Sequence, residues 1–325
     1  MLTVTVDTLA DVSDANDGHT SLREAIAAAP ASGNQVDFHA SLAQGVITLN
    51  SQLTLPQSIT INGLGADQLT VAAGGNHRIF QVNAGAVATI NGLKLTGGNA
   101  SDYGGAILNY GTLKLNRAEV SGNTAGGAGG AIASLSDSSN GPNSLFINDS
   151  TIRDNHAVEG SGIAAYPTGG SFEIRRSTIS NNASQVPFAL DQWSAAGGIQ
   201  LVGAVTSPLI ENSTVSGNAS AYIGGIRLWA VSSPLKIVNS TIAFNRGLSD
   251  GAGIDVRGGS AAPIIQSSII AQNTNGVASP VHRDVDGNLS DSSSYSLFGS
   301  GAGDGSGQQD RHACRSVGSQ AISAR

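Results

Sequence analysis

Short runs that alternate between core-seeking and polar residues recur along the chain. "SLFINDSTI" at 144–152 sets Leu145 and Ile147 against Phe146 and Asn148, and "PLKIVNSTI" at 234–242 sets Leu235 and Ile237 against Lys236 and Val238. Alternation over so few residues, bounded by Gly, Asn, Ser and Pro, predicts strands with one buried face. "GVITLN" (45–50), "QLTLP" (52–56), "SITINGLG" (58–65), "QLTVAA" (68–73), "RIFQV" (78–82) and "ATINGLKL" (88–95) read the same way. Helical spacing is confined to "TSLREAIAAAP" (20–30), where Leu22, Ala25, Ile26 and Ala29 share a face. Ser21 is its N-cap, Glu24 closes a capping box and Pro30 marks the stop.

The strands belong to a repeated phrase. "NDSTIRDN" (148–155), "RRSTISNN" (175–182), "ENSTVSGN" (211–218), "NSTIAFN" (239–245) and "QSSIIAQN" (266–273) each end on asparagine. The repeating asparagines are Asn99, Asn123, Asn155, Asn182, Asn218, Asn245 and Asn273, 24 to 36 residues apart. Between them falls Gly-Gly-Ile or a variant, at 104–107, 129–132, 160–163, 197–199, 224–226 and 251–254. A period of this length marks a solenoid. Three short strands per unit, restacked on themselves, make an all-β fold, a right-handed parallel β-helix. Ile152, Ile179, Val215, Ile242 and Ile270 are expected to stack, and the asparagines to form a ladder at a corner, tolerating left-handed backbone there. Repetition down the chain makes that ladder architectural, not a ligand site. The expected organisation is an N-terminal cap over 1–34 with its helix at 21–29, a β-helix over 35–290, and an irregular tail over 291–325 that is disordered or truncated. The helix covers the open end of the tube.

Composition narrows the function. The chain has 325 residues, 43 of them glycine, with 12% charged residues and a net charge of −7. That balance excludes a nucleic-acid partner, which wants a basic face. No run of about 18 apolar residues exists, so no helical membrane span is expected. Cys314 is the one cysteine, which excludes an internal disulfide. "MLTVTVDTLADV" lacks the features of a signal peptide. Either the protein stays inside the cell or its signal is missing from this chain.

"VTVDTLADVSDANDGHTSLREAI" (4–26) resembles the CSLREA-type N-terminal motif of bacterial surface and secreted proteins, with Thr20 in place of the name-giving cysteine. The Gly-Gly-Ile and Ile-x-x-Asn phrases resemble the GGAI and Phe-x-x-Asn repeats of the chlamydial polymorphic outer membrane protein family. The resemblance implies a right-handed, pectate-lyase-like β-helix, secreted or at a bacterial cell surface. It also implies an adhesin or passenger domain, and some such proteins are carbohydrate-active enzymes.

Candidate chemistry is sparse. Arg153, Asp154 and His156, Arg175 and Arg176, Asp191 near Trp193, and Arg227, Asp250, Asp255 and Arg257 are the charged groups worth weighing. Among them Arg227, Asp255 and Arg257 are the candidate catalytic set, since they take related positions in adjacent coils. No two carboxylates are read at one strand position on neighbouring coils, as a glycosidase would want. No cofactor is expected. Ca²⁺ comes closest at "DVDGN" (284–288) and "GAGDGSG" (301–307). The first has Leu289 and Tyr295 where a Ca²⁺ loop needs Gly and Glu, and the second occurs once.

In each Gly-Gly-Ile strand the first and third residues after Ile are expected to point outward. The pairs are Leu108 and Tyr110, Ala133 and Leu135, Ala164 and Tyr166, Gln200 and Val202, Arg227 and Trp229, Asp255 and Arg257. Tyr110, Tyr166 and Trp229 are the candidate ligand-binding residues of this stripe. The expected function is a monomeric, non-catalytic β-helix that adheres to a polysaccharide or a cell-surface partner. A polysaccharide lyase or hydrolase and a structural spacer of a larger surface protein are the alternatives.

Overall fold

The computed structural model describes residues 3–14, 16–28, 34–136, 141–184, 196–248, 252–276, 281–282 and 284–299. These residues form a parallel β-helix. Three long sheets of 10, 10 and 9 strands run the length of the axis, here called A, B and C in the order the chain visits them. One coil shows the path. Thr112–Asn116 lies in A, Glu119–Ser121 in B, the short Thr124–Ala125 bridges a corner, Ile132–Leu135 lies in C, and Ser144–Asn148 re-enters A one coil on. All ladders within the three sheets are parallel and in register, apart from a bulge near Ser171–Glu173.

Register turns the sequence repeat into a packed column. In sheet B, Val71, Leu95, Val120, Ile152, Ile179, Val215, Ile242 and Ile270 are successive partners. Each of these is fully buried. Columns of the same kind fill sheet A (Ile90, Leu115, Ile147, Ile174, Ile210, Ile237) and sheet C (Ile107, Ile132, Ile163, Ile199, Ile226, Ile254). Each inward side chain sits about 4.8 Å from its equivalents above and below, so one shape of residue suits every coil.

The corners explain the polar half of the phrase. Between A and B the backbone N–H of Ser150, Ser177, Ser213 and Ser240 donates to the Oγ of the next serine in the row, at 3.1 Å each. After sheet B comes the asparagine row: Asn123, Asn155, Asn182, Asn218, Asn245 and Asn273, all fully buried. From Asn155 onward each Oδ1 accepts from both the backbone N–H and the Nδ2 of the preceding asparagine, the Nδ2 contacts being 2.9 Å. Each Nδ2 also donates to a sheet B carbonyl one coil back, from Leu95 to Ile242. The row ends on Asp284, whose Oδ1 accepts from Asn273 N–H at 3.0 Å and Nδ2 at 2.8 Å.

Two expectations about this row change. Asn99 is not a member: it lies one residue beyond the position, which Gly98 fills by donating its N–H to Asn123 Oδ1. The left-handed backbone belongs not to the asparagines but to the residues just before them, Gly122, Asp154, Asn181, Gly217, Phe244 and Gln272. The asparagine is selected for its carboxamide, which can both donate and accept. The glycines of Gly-Gly-Ile answer to close stacking. A Cβ on Gly225 would lie 2.2 Å from the Gly253 carbonyl oxygen, and one on Gly253 would lie 2.3 Å from that of Asp284.

At the N-terminal end the helix spans Leu22–Ala27 and buries Leu22, Ala25 and Ile26 against the first coil. Its capping box is formed: Ser21 Oγ accepts from Glu24 N–H, and Glu24 Oε2 accepts from Ser21 N–H. Ala29 and Pro30 lie outside the described residues. The sheets reach further than 35–290. Thr3–Val6 is already a parallel partner of Asn34–Phe38, and Leu297–Phe298 pairs with Ile269–Ala271. The segment assigned to the cap therefore contributes the first strand of sheet A, and the tail contributes the last of sheet B.

Asn182→Ala would leave the Asn155 N–H and Nδ2 without their acceptor in a dry interior. It is expected to lower unfolding free energy by about 3 kcal/mol in a denaturant titration. Deleting residues 1–30 would expose both the core and the edge of Asn34–Phe38, so the truncated chain is expected to aggregate in size-exclusion chromatography. A monomeric, soluble truncation would show that the cap is dispensable.

Candidate functional site: the outer face of sheet C

Two outward rows run along sheet C. The outer row brings Leu135, Tyr166, Val202, Trp229 and Arg257 into axial line, with Tyr110 one coil before Leu135. Tyr110 and Tyr166 are half-buried and Trp229 is 43% exposed. The candidate ligand-binding residues thus share one row, and Trp229 is open to solvent.

The inner row, expected to point outward, does face away from the core but is covered. Leu108, Ala133, Ala164, Gln200, Arg227 and Asp255 are all nearly or fully buried. Segments that lead from the asparagine corner into sheet C bring two side chains against this row: Glu159 accepts from Gln200, and the Tyr222 ring lies against Arg227. A cleft of about 590 Å³ remains between these segments and the outer row. Tyr103, Tyr110, Leu135, Val158, Glu159 and Tyr166 form most of its walls.

The polar groups beneath the rows form a chain. The Tyr166 hydroxyl donates to Glu159 Oε2 at 2.7 Å, and Gln200 Nε2 donates to the same oxygen at 3.0 Å. Burial, with the Glu159 charge beside it, pushes the Tyr166 phenol far above the usual tyrosine range. Next along the row, the Arg227 guanidinium lies 5.3 Å from the Tyr222 ring centre and 4.9 Å from that of Trp229. Burial lowers its pKa, and Asp255, with Nε to Oδ2 at 3.9 Å, opposes that shift. Arg257 Nε donates to Asp255 Oδ1 at 2.9 Å and reaches on to Asp286. Desolvation raises the Asp255 carboxyl above the ordinary carboxylate range despite both arginines.

Arg227, Asp255 and Arg257, expected to meet, do meet. Two carboxylates also share one strand position on neighbouring coils, contrary to expectation: Asp255 and Asp286 are register partners. The two acids are 31 positions apart and Asp286 lies beyond the last repeated phrase, so a count of residue spacing does not pair them. The Ca²⁺ candidate at 284–288 has its acids turned to other partners, Asp284 to the asparagine row and Asp286 to Arg257. Residues 301–307 lie outside the described residues, among which no cluster of three or more His, Cys, Asp or Glu is placed to hold a metal.

The other charged candidates are on other faces. Arg153 bonds Glu119 and Asp154, Arg175 bonds Glu173 and Glu211, and Arg176 bonds Asp149. His156 is exposed on a corner strand. Asp191, Trp193 and Asp250 lie outside the described residues.

Residues 168–288 match the family described as the right handed beta helix region. The fold is a right-handed parallel β-helix. Comparisons with the curated proteins and with the solved structures give no match. The matched span covers the second half of the sheet C rows, from Gln200 to Asp286, and the same parallel registers continue through the coils before it. No helix among the described residues is long and apolar enough to cross a membrane.

The raised Asp255 carboxyl sets a pH dependence. Its ionised form is disfavoured in the fold, so the native state holds the proton more tightly than the unfolded chain does. Stability is therefore lost as pH rises from the ordinary carboxylate range through the raised value, and regained on acidification. Asp255→Asn is expected to flatten that slope in urea titrations across this pH window. An unchanged slope would place the ionised carboxylate comfortably between its arginines.

Proposed function

We propose that this chain is an exported, cell-surface β-helix that binds a linear polysaccharide along sheet C without altering it chemically. The observation that carries the reading is the outer row itself: rings at Tyr110, Tyr166 and Trp229 on one straight, rigid edge, with Trp229 open to solvent. Coils about 4.8 Å apart give the row a regular pitch, which suits a repetitive ligand. A ring stacked on a sugar contributes on the order of 1 kcal/mol. One such contact is too weak to hold a partner, so binding rests on several acting along an extended chain or on many copies at a surface. The cell-surface part of the reading is supported by the similarity of residues 4–26 to the CSLREA-type motif and of the repeats to surface proteins.

Trp229→Ala is expected to weaken binding about tenfold on a glycan array followed by calorimetry, more than Tyr110→Ala or Tyr166→Ala. Trp offers the largest face, and its loss also uncovers Arg227. Wild-type affinity in Trp229→Ala would remove the support for a glycan and favour the spacer role.

A second reading is favoured by the Asp255–Asp286 pair. Asp286, partly exposed and joined through Arg257 to the buried Asp255 on the adjacent coil, is the carboxylate a hydrolase or lyase could present to a substrate. Reducing-end and unsaturated-product assays on polysaccharides decide this. Turnover abolished by Asp286→Asn would make the protein an enzyme, and its absence on all substrates leaves the binding role.

A further inference from the structure

The cleft has a chemistry narrower than that of a general sugar platform. Tyr103, Tyr110 and Tyr166 supply aromatic walls and Glu159 supplies a carboxylate, while no arginine, lysine or histidine is among the lining residues. The Tyr166 hydroxyl donates inward to Glu159 rather than into the opening. Gln200, 3% exposed, also donates to Glu159 and to the Tyr166 oxygen. These bonds fix the carboxylate against the ring, so that the cleft holds a negative charge with no basic side chain among its lining residues to neutralise it. A uronic acid would bring a like charge toward Glu159. An ammonium group is attracted both by ring faces and by the carboxylate, and the attraction grows in a partly desolvated cleft.

Resting on the reading of sheet C as a glycan-binding face, we infer that this cleft selects a deacetylated amino-sugar chain, seating one free ammonium among the three tyrosine rings beside Glu159. Tyr110 and Tyr166 stand two coils apart, roughly 10 Å, leaving space between them for the substituent over Leu135. The chain would continue along the outer row toward Trp229. There Arg227, on the same strand as Trp229 and held against Tyr222, Trp229 and Asp255, is a fixed cation that disfavours a second ammonium. The charge selection therefore belongs to the cleft end of the row.

Calorimetry with four probes tests this: a glucosamine oligomer, the matching N-acetylglucosamine oligomer, a galacturonate oligomer and choline chloride. The glucosamine oligomer is expected to bind at least tenfold more tightly than its acetylated counterpart, and the galacturonate oligomer to bind worst. Glu159→Gln should abolish the tenfold preference, read as the ratio of the two oligomers' affinities on the same variant. Tyr103→Ala, at a 45% exposed ring outside the hydrogen-bonded group, should reduce the preference without disturbing the fold. Equal affinity for the two hexosamine oligomers overturns the inference while the glycan-binding role stands. Failure of all three oligomers sinks both. Choline binding more tightly than the glucosamine oligomer overturns it too, assigning the cleft to a methylated headgroup.

Discussion

The bond between one buried asparagine and the next governs this structure. At the corner after sheet B the chain leaves its strand, and its N–H groups lose their strand partners. Water cannot reach them, and an unpaired donor there costs about as much as a lost hydrogen bond. A carboxamide at each corner accepts from the coil before and donates to the coil after, so the row is satisfied throughout. Since every amide must meet its neighbour, the coils cannot slip along or rotate about the axis. The register of sheet C follows from that constraint, and with it the alignment of Tyr110, Tyr166 and Trp229. Loops of different length can leave between corners without disturbing the alignment, which is why spacings of 27 and 36 residues coexist in one row.

The outer face of sheet C is built differently from the corners. The columns repeat because each inward slot has the same shape, whereas the outward rows vary from coil to coil. Leu108, Ala133 and Ala164 give way to Gln200, Arg227 and Asp255 along one register line. Apolar residues line the cleft end and charges accumulate at the other. Fixed-charge groups on a rigid scaffold need little reorganisation when a ligand arrives, which favours recognition over adaptability.

Most of the fold was legible because packing writes itself into a repeat. The column from Ile152 to Ile270 and the capping box of Ser21 and Glu24 could be read off spacing and residue type. Asn99 misled because it is an asparagine at nearly the right distance, and only backbone pairing distinguishes it from Gly98 in the row. The Asp255–Asp286 pair was hidden because Asp286 lies beyond the last repeated phrase, where the sequence offers no register to count from. Glu159 and Tyr222 were missed for another reason: they reach the site from corner segments, whose course no periodicity describes. The covering of the inner row could not be read, because alternation tells which side of a sheet a residue faces, not whether something covers that side.

The asparagine row also has an electrical direction. Along the row every carboxamide oxygen accepts from the N-terminal side and every Nδ2 donates one hydrogen to the C-terminal side, so these bonds share one direction, with the positive end at Asn273. The side chain that closes the row there is a carboxylate, which accepts hydrogen bonds and has none to donate. Asp284 thus does for a stack of side chains what an acidic residue does at the start of an α-helix. It also makes the array one-sided: a further coil stacked beyond Asp284 would need a donor that this residue lacks. Extending or grafting the solenoid at that end therefore begins with restoring an amide at position 284.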